Sequence, residues 1–302
     1  MPTNDFKAFA NGNSANVISQ ADYLALAALV SGFSSGKASS AQVNKALRQA
    51  TVMANVLAQF IADSANVDVL DNGNTAAILS NLKNSMPGRL LGVPRVVTST
   101  GTFTKTPGAT KWRIRILGAG GGSSAAPATA AGQVSISNGG GAGAYAEGIY
   151  DVSALSSVTV TIGSGGVGGT AISPNGGDGG TTSVGTLISA PGGKAGLPAG
   201  PANPPFQPVA NTNSNSPTGW NIIGTSGSGS EAAVAVSTSY AAGSRGANSQ
   251  LGVGGSVPAI NTPANTGGGY GSGASGCSNG VSQPLNPGAS GRDGVVIIEE
   301  YA

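Results

Sequence analysis

Three short motifs in this sequence contain residues of the kind that bind nucleotides or metal ions. Residues 163–168 read GSGGVG and fit the GxGxxG pattern of dinucleotide sites, directly after a predicted strand. The residues that follow, GTAISP, cannot open a helix, so the helix N-terminus that would bind phosphate is missing. Gly193 and Lys194 lack the other residues of a P-loop, and Asp178 is alone where calcium-binding repeats place several acids. We therefore expect no nucleotide, metal or other cofactor.

The carboxylates beyond residue 100 are the next candidates, because two of them about 5 to 10 Å apart could hydrolyse a glycoside. Glu147 and Asp151 lie at the two ends of one predicted strand, whereas Glu299 and Glu300 alternate between faces, so the spacing places no pair. The chain has no histidine, which excludes a Ser-His-Asp centre, and its one cysteine, Cys277, excludes an internal disulfide. These features predict a protein that is not an enzyme.

Two loops without glycine clusters contain residue types that suit binding. Residues 197–220 are rich in proline, which lowers the entropy lost on binding, and residues 230–244 are rich in serine and alanine. Aromatic side chains in and beside these loops offer stacking on sugar rings or contact area. The alternative that the sequence leaves open is that these aromatic residues fill the domain's own core or a subunit interface. The candidate binding residues are Phe206, Trp220, Tyr240 and Arg245.

The charge balance gives no support to a nucleic-acid partner. The net charge is +2, and the basic residues are divided equally between the two sides of position 100. The first residues lack the basic and apolar regions of a signal peptide, and the longest apolar run, residues 23–30, is too short to span a bilayer. We expect a soluble product that is made in the cytoplasm.

The first hundred residues are poor in glycine and predict three helices. Ser19 and Asp22 mark the start of a helix that runs to about Val30, and a third, shorter helix opens at Asn74. The second helix, residues 40–65, carries the seam of a short coiled coil next to a second stripe of Ala46, Met53, Val56 and Phe60. One stripe can pack on the first helix, and the other can contact symmetry-related copies. The alternative is an ordinary core helix of a three-helix domain. The seam residues are Val43, Leu47, Ala50, Ala54, Leu57 and Ile61.

Residues 118–294 hold 43 of the 51 glycines, in clusters that alternate with β-branched runs. Glycine loses the most backbone entropy on ordering, so this use of glycine indicates close approach of backbones. Extended glycine segments with three residues per turn form polyglycine II helices, which can pack side by side and hydrogen-bond to one another. The strict period of collagen is absent, and we predict a bundle of such helices within one chain. We expect Gly140→Val or Gly268→Val to unfold this domain and to leave the helical trimer intact.

Past Pro94 the hydrophobic period changes to two, which is typical of strands. In residues 111–117 (KWRIRIL), Trp112 and the isoleucines face one way and three cations face the other. The cations could bind an anionic sugar or phosphate, or form a solvated sheet face. We predict that the last strand, 295–301, lies in the same sheet and that its acids offset the arginines. The other predicted strands are 145–150, 157–162 and 181–190.

An ordered series of five motifs resembles the glycine-rich domain at the C-terminal end of bacteriophage tail fibres. The motifs are WRIRILGAGGG, GGAGAYAEG, VTVTIGSGGVGG, NGGDGGTTSVG and GRDGVVIIEEY, and they cover about residues 101–301. The N-terminal segments ANVISQADYLALAALVSGFSSGKAS and NKALRQATVMANVLAQFIAD are similar to virion-attachment regions of short tail fibres. Some T-even-like phages have tip adhesins of a similar kind, but this chain differs in having its own helical attachment domain.

The resemblance implies a homotrimeric receptor-binding protein of the α + β class with two domains. Residues 1–92 would form a helical attachment and trimerisation domain, and residues 93–302 a β-sheet and polyglycine II domain. The implied function is non-enzymatic adhesion of a phage tail to lipopolysaccharide or an outer-membrane protein. The N-terminal domain would bind a baseplate or tail protein, and the location would be the virion tail. The alternative is a structural baseplate component without receptor contact.

Overall fold

The structure is a computed structural model that describes residues 1–33, 38–86 and 88–302. Over these residues the chain is mixed α + β, with helices near the N-terminus and a mostly β C-terminal part. The β part consists of antiparallel sheets, and no sheet among the described residues closes on itself. The chain divides into two compact units, Met1–Arg89 with Ala302 and Leu90–Tyr301.

The N-terminal unit confirms the predicted helix starts and corrects one helix length. The Ser19 side chain accepts a hydrogen bond from the backbone N–H of Asp22 at 3.0 Å, as its capping role requires. The prediction that this helix continues to Val30 is wrong. The Leu26 N–H bonds to the Tyr23 carbonyl three residues earlier, which ends the α-helical pattern after one turn. The helices are α1 Gln20–Leu24, α2 Ala28–Ser31, α3 Ser40–Ala65 and α4 Thr75–Asn84.

Helices α3 and α4 pack around a small apolar core. A capping box between Ser39 and Gln42 starts α3 at the predicted residue, and Asn74 caps α4 by accepting from Ala77 N–H at 3.0 Å. The core consists of residues from the second half of α3 and the loop after it, and it is covered by Phe6 and by Ile78 and Leu82 of α4. Its buried members are Ala58, Ile61, Ala62 and Val69.

The C-terminal unit is built from short strands. The strands are β1 Arg95–Val97, β2 Gly101–Thr104, β3 Lys111–Leu117, β4 Val134–Ser137, β5 Tyr145–Asp151, β6 Ser157–Thr161, β7 Thr182–Val184, β8 Ile188–Ala190, β9 Pro198–Ala202, β10 Ile223–Thr225, β11 Val234–Ser237, β12 Tyr240–Ala242, β13 Gly252–Val253, β14 Gly268–Gly269, β15 Ser278–Asn279 and β16 Val295–Tyr301. A five-stranded sheet has the order β1-β16-β3-β5-β10, a four-stranded sheet has the order β2-β6-β7-β8, and a three-stranded sheet has the order β15-β4-β9. Two further antiparallel pairs are β11-β12 and β13-β14.

The five-stranded and four-stranded sheets share the largest apolar core of this unit. Trp112, Ile114 and Ile116 of β3 are fully buried, which confirms the predicted alternation. Phe103 of β2 packs edge-on against Trp112, with ring centroids 5.1 Å apart. The single strand predicted over residues 181–190 is instead the hairpin β7-β8, because Gly185 has a φ of 48° and turns the chain.

The pairing of the last strand with β3 confirms the prediction from the sequence. Strand β16 runs antiparallel to β3, and their register places Glu299 opposite Arg113 and Glu300 opposite Trp112. The carboxylate of Glu299 binds Arg115 Nη2 at 2.7 Å. Glu299 therefore offsets the arginines of β3 as predicted, whereas Glu300 forms its ion pair with Arg95 of β1.

Residues 118–126, which we call the central segment, continue directly from β3 and are completely buried. Their backbone N–H groups donate in strict rotation to three other segments, at N···O distances of 2.8 to 3.1 Å. The rotation repeats every third residue, since Gly118 and Gly121 bond to one segment, Ala119 and Gly122 to a second, and Gly120 to a third. The three acceptor segments are residues 139–144, 174–180 and 286–292.

The carbonyl groups of the central segment bind three further segments. Ala119 and Gly122 accept from residues 192–196, Gly120 and Ser123 from residues 163–169, and Gly121 from Ala274. The central segment is thus enclosed by six segments that bond to it through the backbone. A Cβ added to Gly118, Gly120, Gly121 or Gly122 would lie within 3.0 Å of a neighbour's backbone, so only glycine fits at those four positions.

The direction of each segment follows from the same hydrogen bonds. The acceptor number falls from Ala144 to Gly141 as the donor rises from Gly118 to Gly121, so residues 139–144 run antiparallel to the central segment. All the segments therefore run between two ends of one bundle. The five-stranded sheet continues from one end, which we call the sheet end. The opposite end, where the central segment leads to residues 127–133 and residues 163–169 lead to residues 170–173, is the loop end.

The two glycines that the sequence analysis chose for substitution differ in their surroundings. A Cβ on Gly140 would lie within 3.0 Å of the Gly121 backbone, as expected for a packed glycine. Gly268 is exposed in β14, and a Cβ there would meet no atom within 4 Å. The expectation that Gly268→Val unfolds the domain is therefore wrong, because this glycine belongs to a surface hairpin and not to the bundle.

The first prediction compares Gly140→Ala with Gly268→Ala. We expect Gly140→Ala to lower the free energy of unfolding of the C-terminal unit by about 3 kcal/mol, because backbone atoms cannot move aside as a side chain can. Both tryptophans, Trp112 and Trp220, belong to this unit, so tryptophan fluorescence during urea unfolding reports on it alone. Gly268→Ala should leave the midpoint unchanged. Equal midpoints for the two variants would contradict close packing at Gly140.

A buried carboxylate joins the sheet to the loop that precedes β3. Glu300 accepts hydrogen bonds from the Thr106 N–H and the Trp112 indole, both at 2.9 Å, and forms an ion pair with Arg95 at 3.3 Å. Burial raises the pKa of Glu300, but the hydrogen bonds from Thr106, Trp112 and Arg95 outweigh it, so the pKa lies below its ordinary value of 4.5. The ionised form is therefore the one that stabilises the fold.

The second prediction concerns Glu300→Gln. A lowered pKa in the folded state means that the stabilisation is fully present above pH 4.5 and is lost as the pH falls through the folded-state pKa. We expect the variant to lose about 2 kcal/mol at pH 7 and to show a flatter loss of stability on acidification. Asp178→Asn is the control, because Asp178 pairs with Lys194 at the surface and should contribute about 0.5 kcal/mol. Parallel pH curves of wild type and Glu300→Gln would contradict this role.

Candidate functional site

Phe206 and Tyr240 both lie at the loop end of the bundle. The backbone of Phe206 pairs with Ala235 of β11, and the β11-β12 hairpin brings Ala241 opposite Ala235. The Phe206 ring packs against a cluster that includes Ile136 of β4. The ring is only partly exposed and closes a small core. Phe206 therefore fits the alternative interpretation of the sequence, in which the aromatic residue fills the domain's own core.

Tyr240 faces the other way. Ala235 and Ala241 point into the small core, so Val236 and Tyr240 project from the opposite face of the hairpin. The Tyr240 side chain is 60% exposed, and Val236 is similarly exposed. The hairpin thus presents an aromatic ring and an aliphatic side chain to solvent on a short, hydrogen-bonded scaffold.

Trp220 is not part of this surface. It precedes β10, the edge strand of the five-stranded sheet, and lies at the sheet end. Its indole packs over the backbone of Gly224, where a Cβ would collide with the ring. Ile222 and Ile223 beside it are half exposed. The sequence grouped Trp220 with Phe206 because one loop contains both, but that loop crosses the length of the bundle between them.

Arg245 lines a polar groove on the side of the bundle. The groove has residues 225–231 and 245–250 as its walls and residues 142–145 as its floor. It consists of two adjoining cavities of about 190 and 220 Å³, which share Ser228 and Asn248. Arg245 and Glu231 both line the larger one. Sequence reasoning found Arg245 but missed the groove, because its walls are distant in sequence from its floor.

Two of the three aligned cations of β3, Arg113 and Arg115, are neutralised within the sheet. Arg113 binds Glu147 of β5 at 2.6 Å and Glu299 at 3.6 Å, and its hydrogen bond to Glu147 raises the pKa of the guanidinium. Arg115 binds Glu299 at 2.7 Å. The solvated sheet face therefore describes these cations better than a site for an anionic sugar or phosphate.

Glu147 and Glu299 lie close together in the fold, although their spacing in the sequence did not predict that they form a pair. They lie on β5 and β16, either side of β3, and both bind Arg113. Tyr145 and Tyr301 donate to them at 3.2 and 2.8 Å, so each carboxylate is also held by a phenol. The signal that could have found the pair is the alternation of the three strands, once their order in the sheet is known. Both oxygens of each acid are engaged in structural contacts.

The remaining motifs of the sequence have structural roles. Gly165 N–H bonds to Asp293 Oδ1 at 2.7 Å and Gly166 N–H to the Gly120 carbonyl at 2.9 Å, so the GxGxxG segment holds the bundle together. Asp178 accepts from Ala195 N–H and pairs with Lys194. Cys277 is completely buried, and burial raises the pKa of its thiol. Within the described ranges no cluster of three metal-ligating side chains occurs.

The predicted seam of α3 is mostly exposed in the single chain. Leu47, Ala50, Ala54 and Leu57 face solvent, and Val43 is half-buried. Ile61 differs, because it is 1% exposed and belongs to the core of its own unit. The second stripe is also exposed at Met53, Val56 and Phe60. No helix in the parts of the chain that the structure describes is long and apolar enough to cross a membrane.

Comparison with known proteins is consistent with the glycine bundle described above. No curated protein matches the chain at a significant level. The family model described as a glycine-rich domain matches residues 97–301, which is more than half of the sequence and nearly all of the C-terminal unit. The chain therefore belongs to the glycine-rich domain family.

Proposed function

We propose that this protein is a bacteriophage tail fibre adhesin that binds the bacterial cell surface through the loop end of its glycine-rich unit. The observation that carries the proposal is the division of this unit into two ends. The chain enters at β1 and leaves at β16, and both strands belong to the five-stranded sheet. The loop end, which contains the Tyr240 hairpin, is free of these connections. A rigid scaffold that presents loops at one end is the usual arrangement of a binding module.

We interpret the glycine segments as polyglycine II helices. The rotation of successive N–H groups among three neighbours, with a repeat of three residues, supports this interpretation. Six surrounding segments are what hexagonal packing of such helices requires. A bundle of this kind has few degrees of freedom, so loops at its end lose little entropy on binding.

We further propose that the protein is a homotrimer whose helical unit attaches to a baseplate or tail protein of the virion. The exposed apolar residues of α3 support this, because an unpaired apolar stripe on a long helix favours association. Leu57 and Ala54 line an apolar groove of about 190 Å³ with Phe6 and Ile78. Three chains would multiply weak loop contacts with lipopolysaccharide or an outer-membrane protein into firm adhesion without any enzymatic step.

The third prediction tests cell binding with two tyrosines that differ in location. Tyr240 lies at the loop end, whereas Tyr270 is next to Gly271, which bonds to Gly143 close to the sheet end. We expect fluorescently labelled full-length protein to bind a subset of Gram-negative strains and to block phage adsorption. Tyr240→Ser should weaken cell binding at least about tenfold, because an exposed aromatic anchor is lost.

Tyr270→Ser is the matched control and should bind as wild type does. Equal loss in both variants would place the receptor contact elsewhere than the loop end. Failure of the wild-type protein to bind any strain that the phage infects would favour the alternative function, a structural baseplate component without receptor contact.

The fourth prediction tests the trimer with two leucines of similar exposure. Leu57 of α3 is 49% exposed and Leu79 of α4 is 53% exposed. We expect Leu57→Glu to convert the trimer to a monomer, because each chain would bring a charge to the shared seam. Leu79→Glu should keep the trimer mass in light scattering. A wild-type monomer, or a trimer that persists in Leu57→Glu, would contradict the proposed seam.

A further inference from the structure

The polar groove is an open position beside one segment of the bundle. Residues 139–144 have hydrogen-bonded segments on five sides. The groove lies between two of these, and no segment within the described ranges fills it. The five segments are residues 118–126, 191–197, 226–230, 244–247 and 271–277.

A further glycine segment is not the ligand that this groove suits. The Ala142 N–H already bonds to the Ser228 carbonyl at 2.9 Å, and the Gly139 N–H bonds to the Ser244 hydroxyl at 2.8 Å. An added polyglycine chain needs free N–H groups as well as carbonyls, as the central segment demonstrates. Because the N–H groups of Ala142 and Gly143 on the floor are satisfied by Ser228 and Gly271, the floor of the groove favours a ligand that brings its own donors.

The lining residues offer free groups of both hydrogen-bonding types. Gly143 lines the floor, and among the described residues no group donates to its carbonyl. Asn248 accepts from Gly254 N–H through its oxygen at 2.8 Å, which fixes the side chain and leaves the amide nitrogen as a donor. The Ser228 hydroxyl has no partner among the described residues either. A ligand that both donates and accepts at short intervals would satisfy these groups.

The charges of the groove balance. Arg245 and Glu231 lie on opposite walls, both exposed, and no ion pair joins them among the described residues. A polyanion would be repelled by Glu231 and a polycation by Arg245. The balance favours a neutral or weakly charged ligand, whose hydroxyls can donate to the carboxylate and accept from the guanidinium.

We infer that the polar groove binds a short stretch of cell-surface oligosaccharide. Sugar hydroxyls donate and accept at close spacing, which matches the Gly143 carbonyl, Asn248 and the charged pair. Tyr145 is the aromatic side chain that lines the groove, so apolar contact is small and each site is weak, with avidity across several chains. This inference rests on the proposed adhesin function and adds a ligand class and a second contact place beside the loop end.

The experiment uses full-length protein and oligosaccharide released by mild acid from the lipopolysaccharide of a strain that the protein binds. Titration calorimetry and saturation-transfer NMR measure binding. We expect the double variant Glu231→Ala/Arg245→Ala to bind at least about tenfold more weakly. Ser228→Leu, which places a larger side chain in the groove, should have a similar effect without any change of charge.

The control is Asp71→Ala/Lys83→Ala, which removes one exposed charge of each sign from the helical unit and should bind as wild type does. If wild-type protein binds cells but not the oligosaccharide, or if the groove variants bind it normally, the inference falls while the proposed function stands. If the protein binds no strain at all, both fall together.

Discussion

The close approach of peptide backbones is the constraint on which the C-terminal unit depends. Each glycine of the central segment meets a neighbour's carbonyl where a Cβ would lie, so this core is held by hydrogen bonds between main chains. Each such bond contributes little net free energy, and each ordered glycine costs more entropy than another residue would. The bundle is stable because nearly every buried N–H and carbonyl finds a partner, so few desolvated polar groups are left unsatisfied.

The apolar clusters of this unit lie at the ends of the bundle and not within it. The large cluster around Trp112 underlies the sheet end, and the smaller one around Ile136 and Phe206 closes the loop end. Between them the buried side chains are mostly alanine and serine, together with Asn138, Asn279 and Cys277. The hydrophobic effect thus fixes where the segments start and stop, whereas backbone hydrogen bonding fixes how they pack sideways.

The sequence predicted the elements that are determined locally. Helix α3 has its capping box and its apolar period within its own residues, and β3 has its alternation, so both were predicted at their observed bounds. Short strands such as β13 and β14 have no such signal, since their two residues pair only because the bundle brings them together. Exposed Gly268 shows the same limit, because a glycine's neighbours depend on which segments meet. The polar groove could not be predicted from the sequence for the same reason, because its walls and floor come from segments that are distant in the sequence.

A local period of three was present in the sequence and explains where function can lie. In residues 163–170, Ser164, Val167 and Thr170 are exposed while the glycines between them are packed. A segment covered on all six sides, such as residues 118–126, must be small throughout, whereas an outer segment can carry a side chain on each uncovered face. Larger side chains can therefore occur at outward positions of the outer segments, in the loops and along the polar groove. Side chains can change there without disturbing a core whose glycines tolerate no added Cβ.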